Sequence, residues 1–287
     1  MQFKIKLLDN FFDIHKEYRK LDSQKENTCG AYNLAYILRG LGFKDVSVDY
    51  IAYLAKMNVH ENEYRKFIEA KKLVKEGKLS EEEAKRLYYE YWYEYDYRIT
   101  RYYAESGISP KGLVVACEKV TDGKYCCLPI PSRKGDKIFF TKENFARLID
   151  YIFSKGEIQV VLNYHTSKLL DPNGKFYYLS RILEFHNHPE MFEKWKWIVG
   201  HFVSLAGILE FEDDRWLIIR DTYKKFGFNG YHLQPAEYVR GALLRGDGRE
   251  GGMFLIIKSE RRDEIKEEVE NIGLKVDLWD NGSPYVE

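Results

Sequence analysis

Cysteine is scarce in this chain: four residues in 287, at positions 29, 117, 126 and 127. That is too few for a disulfide framework at this length, so a reducing, cytoplasmic setting is expected, with Cys29 as a free thiol. Neither sign of charge is in excess: Lys+Arg and Asp+Glu number 45 each. A protein that coats nucleic acid or an anionic membrane is usually visibly basic, so neither is expected as a partner. No apolar run approaches the roughly 18–20 residues of a spanning helix. The start, Met1-Gln2-Phe3-Lys4-Ile5-Lys6, lacks the apolar stretch and small-residue cleavage site of a secretory signal. There is no internal repeat and no low-complexity linker. Glutamine is scarce as well, beside 31% charged residues, a balance common in hyperthermophile proteins. What is present in quantity is apolar surface, 45% of residues, enough for a sizeable core and against wholesale disorder.

Helical spacing leads and strand-like runs follow, which predicts an α+β arrangement in a single domain, 1–287. Residues 28–40 (TCGAYNLAYILRG) carry Leu34, Ile37 and Leu38 at helical steps, with Asn27 or Thr28 as cap, so Cys29 falls in the first turn. A second helix is expected over 47–57, capped by Ser47. Residues 60–105 turn to Glu, Lys, Arg and Tyr and read as an inserted helical hairpin. It turns at Glu76-Gly77-Lys78, and Ser80 with Glu83 forms a capping box. Its Tyr/Trp-rich second arm either packs on the body of the protein or faces a protein partner. Ser109-Pro110 starts a helix to 120; Thr141 caps another that Gly156 closes. Strands are expected at 125–130, 157–165, in WIVGHFVSLAGILEF, in RWLIIRDTY and in MFLIIKS. A further helix and a last strand, LKVDLW, complete the chain. The stretch 166–197 reads as an irregular insertion leading into Gly200-His201, expected to overhang a cleft.

A cysteine nucleophile needs a lowered pKa, a base and donors for the oxyanion. In the first turn of a helix, Cys29 meets unpaired N–H groups and the positive end of the dipole, both favouring a thiolate. Gly30 is expected to leave the approach to its sulfur open. Gln24, in the loop before the helix, offers an amide as oxyanion donor beside the Cys29 N–H. His201 begins one strand and Asp221 ends the next. With a turn near 212–213, residue 221 falls opposite roughly 203–205, which brings imidazole and carboxylate to one end of the ribbon. Each residue alone has a plain structural reading: a buried thiol, a core histidine, a strand-end turn residue. Together and in this order they point to nucleophilic catalysis.

The series Q-x4-CGAYNLAYILRGLG, SPKGLVVACEKV, KGEIQVVLNY, GHFVSLAGI and WLIIRDTY resembles the papain-like cysteine peptidase superfamily, and within it the bacteriocin-leader (double-glycine) peptidase branch. Thr222 and Ala31 stand where that branch often has proline, and Gln24 is one residue nearer the cysteine. The resemblance covers the chain outside 60–105 and 166–197. It implies a helical part carrying the cysteine helix packed on a C-terminal antiparallel sheet. It also implies Gln24 as oxyanion donor, Cys29 as nucleophile, His201 as base and Asp221 as orienter. The expected activity is thioacyl-mediated cleavage of amide bonds in a peptide or protein. Transglutaminase-like acyl transfer would use the same groups, and an idle peptide-binding module would keep the fold without turnover. No cofactor is called for. No transporter segment accompanies the chain and no long prosegment precedes Cys29, so leader processing coupled to secretion and control by a large propeptide are not expected.

Gly200 and Trp197 are candidate substrate contacts, and Trp195 and Phe192 either line an apolar pocket or anchor their loop. His186 and His188 lack a third metal ligand at suitable spacing, and Cys117, Cys126 and Cys127 have apolar neighbours and no C-x-x-C, so no metal site is expected. The Gly-rich run 246–252 lacks the Lys-Ser/Thr of a phosphate loop and reads as a mobile loop.

Overall fold

The β-branched and aromatic runs of the second half pair into one sheet, and the amphipathic segments cover its two faces. A computed structural model describes residues 3–173 and 179–287. The elements begin with β1 (Phe3–Leu7), α1 (Phe11–Lys20), α2 (Cys29–Gly40), α3 (Val48–Leu54) and β2 (Asn58–His60). Then come α4 (Glu61–Lys75), α5 (Glu81–Leu87), β3 (Arg98–Thr100), α6 (Pro110–Val120) and β4 (Tyr125–Pro131). A small hairpin, β5 (Arg133–Lys134) and β6 (Lys137–Ile138), leads to α7 (Lys142–Lys155), β7 (Gln159–His165) and α8 (Leu179–Asn187). The chain continues with β8 (Gly200–Phe211), β9 (Asp214–Arg220), β10 (Tyr231–Pro235), α9 (Ala236–Leu244), β11 (Gly252–Lys258) and α10 (Arg262–Asn271).

The main sheet runs β10-β9-β8-β7-β11-β4, all antiparallel. The twelve-residue β8 is long enough to hold two neighbours on one edge, β7 along 200–205 and β1 along 207–211. A register shift between Leu205 and Gly207, on the β9 side, falls where one neighbour gives way to the other. Strand alternation divides the core. Phe202, Phe254 and Ile256 pack with α2, α3 and α6, whereas Val203, Leu205 and Leu255 pack with α7, α9 and α10. Each fully buried side chain of this kind contributes roughly 1.5–3 kcal/mol. Among the described residues no helix is long and apolar enough to cross a membrane.

The expected caps are present at Ser47, Ser80, Ser109 and Thr141, each accepting a backbone N–H of the first turn. Thr28 is the cap of α2 without a side-chain bond to it; its hydroxyl goes back to the Lys25 carbonyl. Gly112 lets α6 lie on the end of α3, since a Cβ there would sit 2.2 Å from the Ala55 carbonyl oxygen.

Three expectations need correction. The second hairpin arm is α-helical only to Leu87; a short 3-10 turn follows at Tyr89–Tyr91, and β3, with β-branched Ile99 and Thr100, pairs in parallel with β2. Residues 179–187, read as irregular, form a helix, α8, packed with Leu209, Phe211 and Trp216 at the end of β8 opposite His201, while Trp197 at the end of the same stretch lines the cleft. Residues 174–178 of that stretch lie outside the described residues. LKVDLW joins no ladder; it is tied by the Asp277 N–H to the Pro129 carbonyl and by Trp279, whose indole N–H donates to Asn163.

Candidate active site

The N-terminus of α2 and the start of β8 meet at one end of the sheet. The tie is Asn33, one helical turn beyond Cys29, whose buried amide donates to the Cys29 carbonyl at 2.8 Å and the Phe202 carbonyl at 2.9 Å. The first helical bond of α2 runs from the Tyr32 N–H to the Thr28 carbonyl. The N–H groups of Cys29, Gly30 and Ala31 therefore precede the ladder and emerge at the positive end of the helix. Cys29 itself is a half-buried free thiol.

Ser204 pairs with Arg220, so the strand-end Asp221 reaches the level of residue 203, inside the expected range. His201 and Asp221 are buried, and His201 Nε2 lies 3.2 Å from Asp221 Oδ1. The Tyr223 N–H also donates to Oδ1, at 2.9 Å. Burial opposes the imidazolium, but the Asp221 charge and hydrogen bond, with a hydrogen bond to Cys29, push the His201 pKa up to about 10. For Asp221, burial pushes upward and His201 prevails, holding the carboxyl well below its usual range. With Nε2 turned to Asp221, Nδ1 is the nitrogen left for the thiol.

Gln24 is held by a polar chain that starts at the same imidazole. Thr222 Oγ1 lies 3.3 Å from His201 Nε2 and donates to Gln24 Oε1 at 2.5 Å. The Gln24 amide donates to the Tyr223 hydroxyl at 2.9 Å, which donates to Glu26 at 3.1 Å. Burial, opposed by that bond from Tyr223, raises the Glu26 carboxyl. The backbone completes the stitch, the Gln24 N–H donating to the Thr222 carbonyl. One amide hydrogen of Gln24 is thus engaged, and the second is available in the cleft that Gln24 lines.

That cleft has a volume of about 720 Å³ and brings together Gln24, Cys29, Trp197, Gly200 and His201. Asp221 stands behind it, fully buried. Gly30 is not part of it: its Cα faces the interior, where a Cβ would lie 3.0 Å from the Leu113 side chain. Its small size serves the packing of α2 on α6, not access to the sulfur. Trp197 stands edge-on to the His201 ring at 5.1 Å. Trp195 is buried behind it against Phe226, and Phe192 packs on Phe185, away from the cleft. His186 pairs with Asp214 at 2.7 Å, and His188 sits by Glu190.

Several lining groups carry no sequence signature. Tyr103 and Ala104 bring the end of the 60–105 arm to the cleft. Arg245, Asp247 and Arg249 bring the loop after α9, and this loop is tied down: Arg245 pairs with Asp247, and Arg249 donates to the Ala104 carbonyl. The Asn33 contact had a legible signal, its four-residue spacing from Cys29.

The fold is thus α+β, built on a mainly antiparallel sheet, with a helix-borne cysteine and a buried His–Asp pair at one sheet end. The chain belongs to a family described as a family of unknown function (DUF6885), whose model matches residues 8–280. No curated protein matches it.

Proposed function

We propose that the protein is a cysteine hydrolase of papain-like architecture that cleaves amide bonds in peptides or proteins. The observation that carries this reading is the buried His201–Asp221 pair beside a cysteine at a helix N-terminus, in one cleft. The Cys29 thiolate attacks the carbonyl carbon and forms a C–S bond. The oxyanion is met by the Cys29 N–H and the second amide hydrogen of Gln24. The C–N bond then breaks as the leaving nitrogen takes the proton from the His201 imidazolium. Water, giving a proton to His201, attacks the thioester; the C–S bond breaks, releasing the acid and restoring the Cys29 thiolate beside the His201 imidazolium. Asp221 holds the ring by Nε2 and stabilises its charge. The cleft carries both signs, Glu26 and Glu63 beside Lys225 and Arg249, which suits a polypeptide better than a polyanion. Four free thiols suit a reducing compartment.

Two measurements test this. Alkylation of Cys29 by iodoacetamide should proceed well below the ordinary thiol pKa near 8.5; inertness there would point to an idle binding module. A proteome-derived peptide library, incubated with wild type and Cys29→Ala, should yield cleaved peptides only with wild type. Amine-linked products without new termini would identify acyl transfer instead.

A further inference from the structure

Asp221 touches a second histidine, His232, on the neighbouring strand β10. His232 pairs with Ile219 and Ile219 with Leu205, so alternation turns His232, Asp221 and His201 to the same face of the sheet. His232 Nε2 lies 3.5 Å from Asp221 Oδ2, with both side chains at most 1% exposed. Neither atom has another hydrogen-bond partner among the described residues. Asp221 Oδ1 is already engaged by His201 and by the Tyr223 N–H.

The proton on His232 can be located from its other side. Gln234 Oε1 accepts the Leu170 N–H at 2.9 Å, which fixes the amide. Its nitrogen then donates to the Leu170 carbonyl at 2.9 Å and faces His232 Nδ1 at 3.2 Å. Nδ1 must accept, so a neutral ring carries its proton on Nε2, facing the carboxylate. Trp195 closes over the ring edge-on at 5.9 Å.

We propose that His232 is a positioning residue. Its Nε2–H donates to Asp221 Oδ2 and, with the Tyr223 N–H on Oδ1, fixes the carboxylate so that Oδ1 meets His201. The carboxylate would otherwise have one oxygen buried without a donor, free to rotate about its last side-chain bond. The contact runs as one line from the Leu170 backbone through Gln234, His232 and Asp221 to His201. Its catalytic meaning rests on the hydrolase reading above; the positioning itself does not. Among the described residues the other titratable groups near the pair include Cys29, Tyr32 and Tyr36 from α2, Tyr164 from β7, Tyr18 from α1, and Tyr223, and burial raises all five tyrosine pKa values.

The test follows both histidines by imidazole ¹⁵N NMR in the full chain, with His232→Leu and His232→Gln, the latter keeping an N–H donor near the Nε2 position. Wild type should show His232 as the Nε2–H tautomer. The His201 midpoint should fall by on the order of one unit, tenfold in proton affinity, in His232→Leu, and recover in His232→Gln. Turnover should fall about tenfold in the Leu variant with KM unchanged. An Nδ1–H tautomer, an unmoved His201 midpoint in the Leu variant, or a Gln variant as impaired as Leu would overturn the proposal. If His201 responds as expected while Cys29 alkylates as an ordinary thiol in all three proteins, positioning stands and the hydrolase reading falls.

Discussion

Arg220 and Asp221 are chain neighbours, yet the sheet turns them to opposite faces, and each face treats a buried charge differently. Arg220, 2% exposed, lies 5.2–5.8 Å from the ring centroids of Phe11, Tyr18, Tyr36 and Tyr231 and donates to the Tyr231 hydroxyl at 2.7 Å. No carboxylate pairs with it among the described residues; ring faces do the electrostatic work. Asp221, equally buried, faces two imidazoles. A guanidinium among rings is fixed in charge at any ordinary pH, so it can only hold elements together, here α1, α2 and β10. A carboxylate beside imidazole forms a pair that can move a proton, and one member of it reaches the cleft. The two faces of one strand end thus hold a charge fixed among rings and a titratable carboxylate–imidazole pair.

That contrast makes graded predictions. The largest effect on activity should come from Cys29→Ser and His201→Ala, each lowering turnover by at least about 10³-fold while the circular dichroism spectrum stays near wild type. Near wild-type activity in either would dissolve the chemical half of the comparison. Asp221→Asn should fold, retain a reactive Cys29, and lose roughly 10–10³-fold in kcat, bounded above by the serine-protease case. Its pH–rate profile should also contract on the alkaline side. The Asp221 charge is what lifts His201 toward about 10, so removing it lets the imidazolium deprotonate at lower pH. An unchanged profile with unchanged kcat would leave Asp221 as a strand-end residue.

Gln24→Ala should cost on the order of 10² in kcat with little change in KM, as for loss of one oxyanion donor. A change confined to KM would make Gln24 a ground-state contact. The smallest effect on activity belongs to the other face. Arg220→Met should lower stability by about 1–3 kcal/mol, combining lost ring contacts and one hydrogen bond, and leave turnover within about threefold. That loss should be the same at pH 6 and pH 9. The deficit of His201→Gln should instead shrink as pH rises. The His201 pKa is raised in the folded state, so its contribution is full below the ordinary imidazole pKa of about 6.5 and disappears as pH passes through about 10. Chemical denaturation of the two variants at both pH values checks the contrast.

The cysteine helix, the Gly200-His201 strand and the Asp221 strand were legible because each couples a strong local period to a turn signal. The register needed only the acidic turn at 212–213 and the length of the two strands. Gln24 was legible as a candidate, but not the Thr222–Gln24–Tyr223–Glu26 chain that fixes its amide, since those bonds join segments some 200 residues apart. His232 was invisible for the same reason. A histidine on a strand becomes a partner of Asp221 only through the pairing of β10 with β9. Gly30 misled because smallness beside a nucleophile can serve either access or helix packing, and only the position of Leu113 decides. The Gly-rich loop misled because composition reports conformational freedom, not the Arg249 and Arg245 contacts that tie it at the cleft. β1 completes the edge of β8.

The placement of β11 has a consequence for biosynthesis. This late strand sits between β7 and β4, so until residues 252–258 leave the ribosome the sheet exists as two separate pieces. His201 follows Cys29 by about 170 residues and the closing strand follows later still. At ordinary elongation rates of about 5–20 residues per second, that leaves roughly 10–50 s in which the nascent cysteine has no finished site around it. The order of synthesis itself delays the meeting of the Cys29 thiol and the His201 imidazole until the β8 segment has emerged.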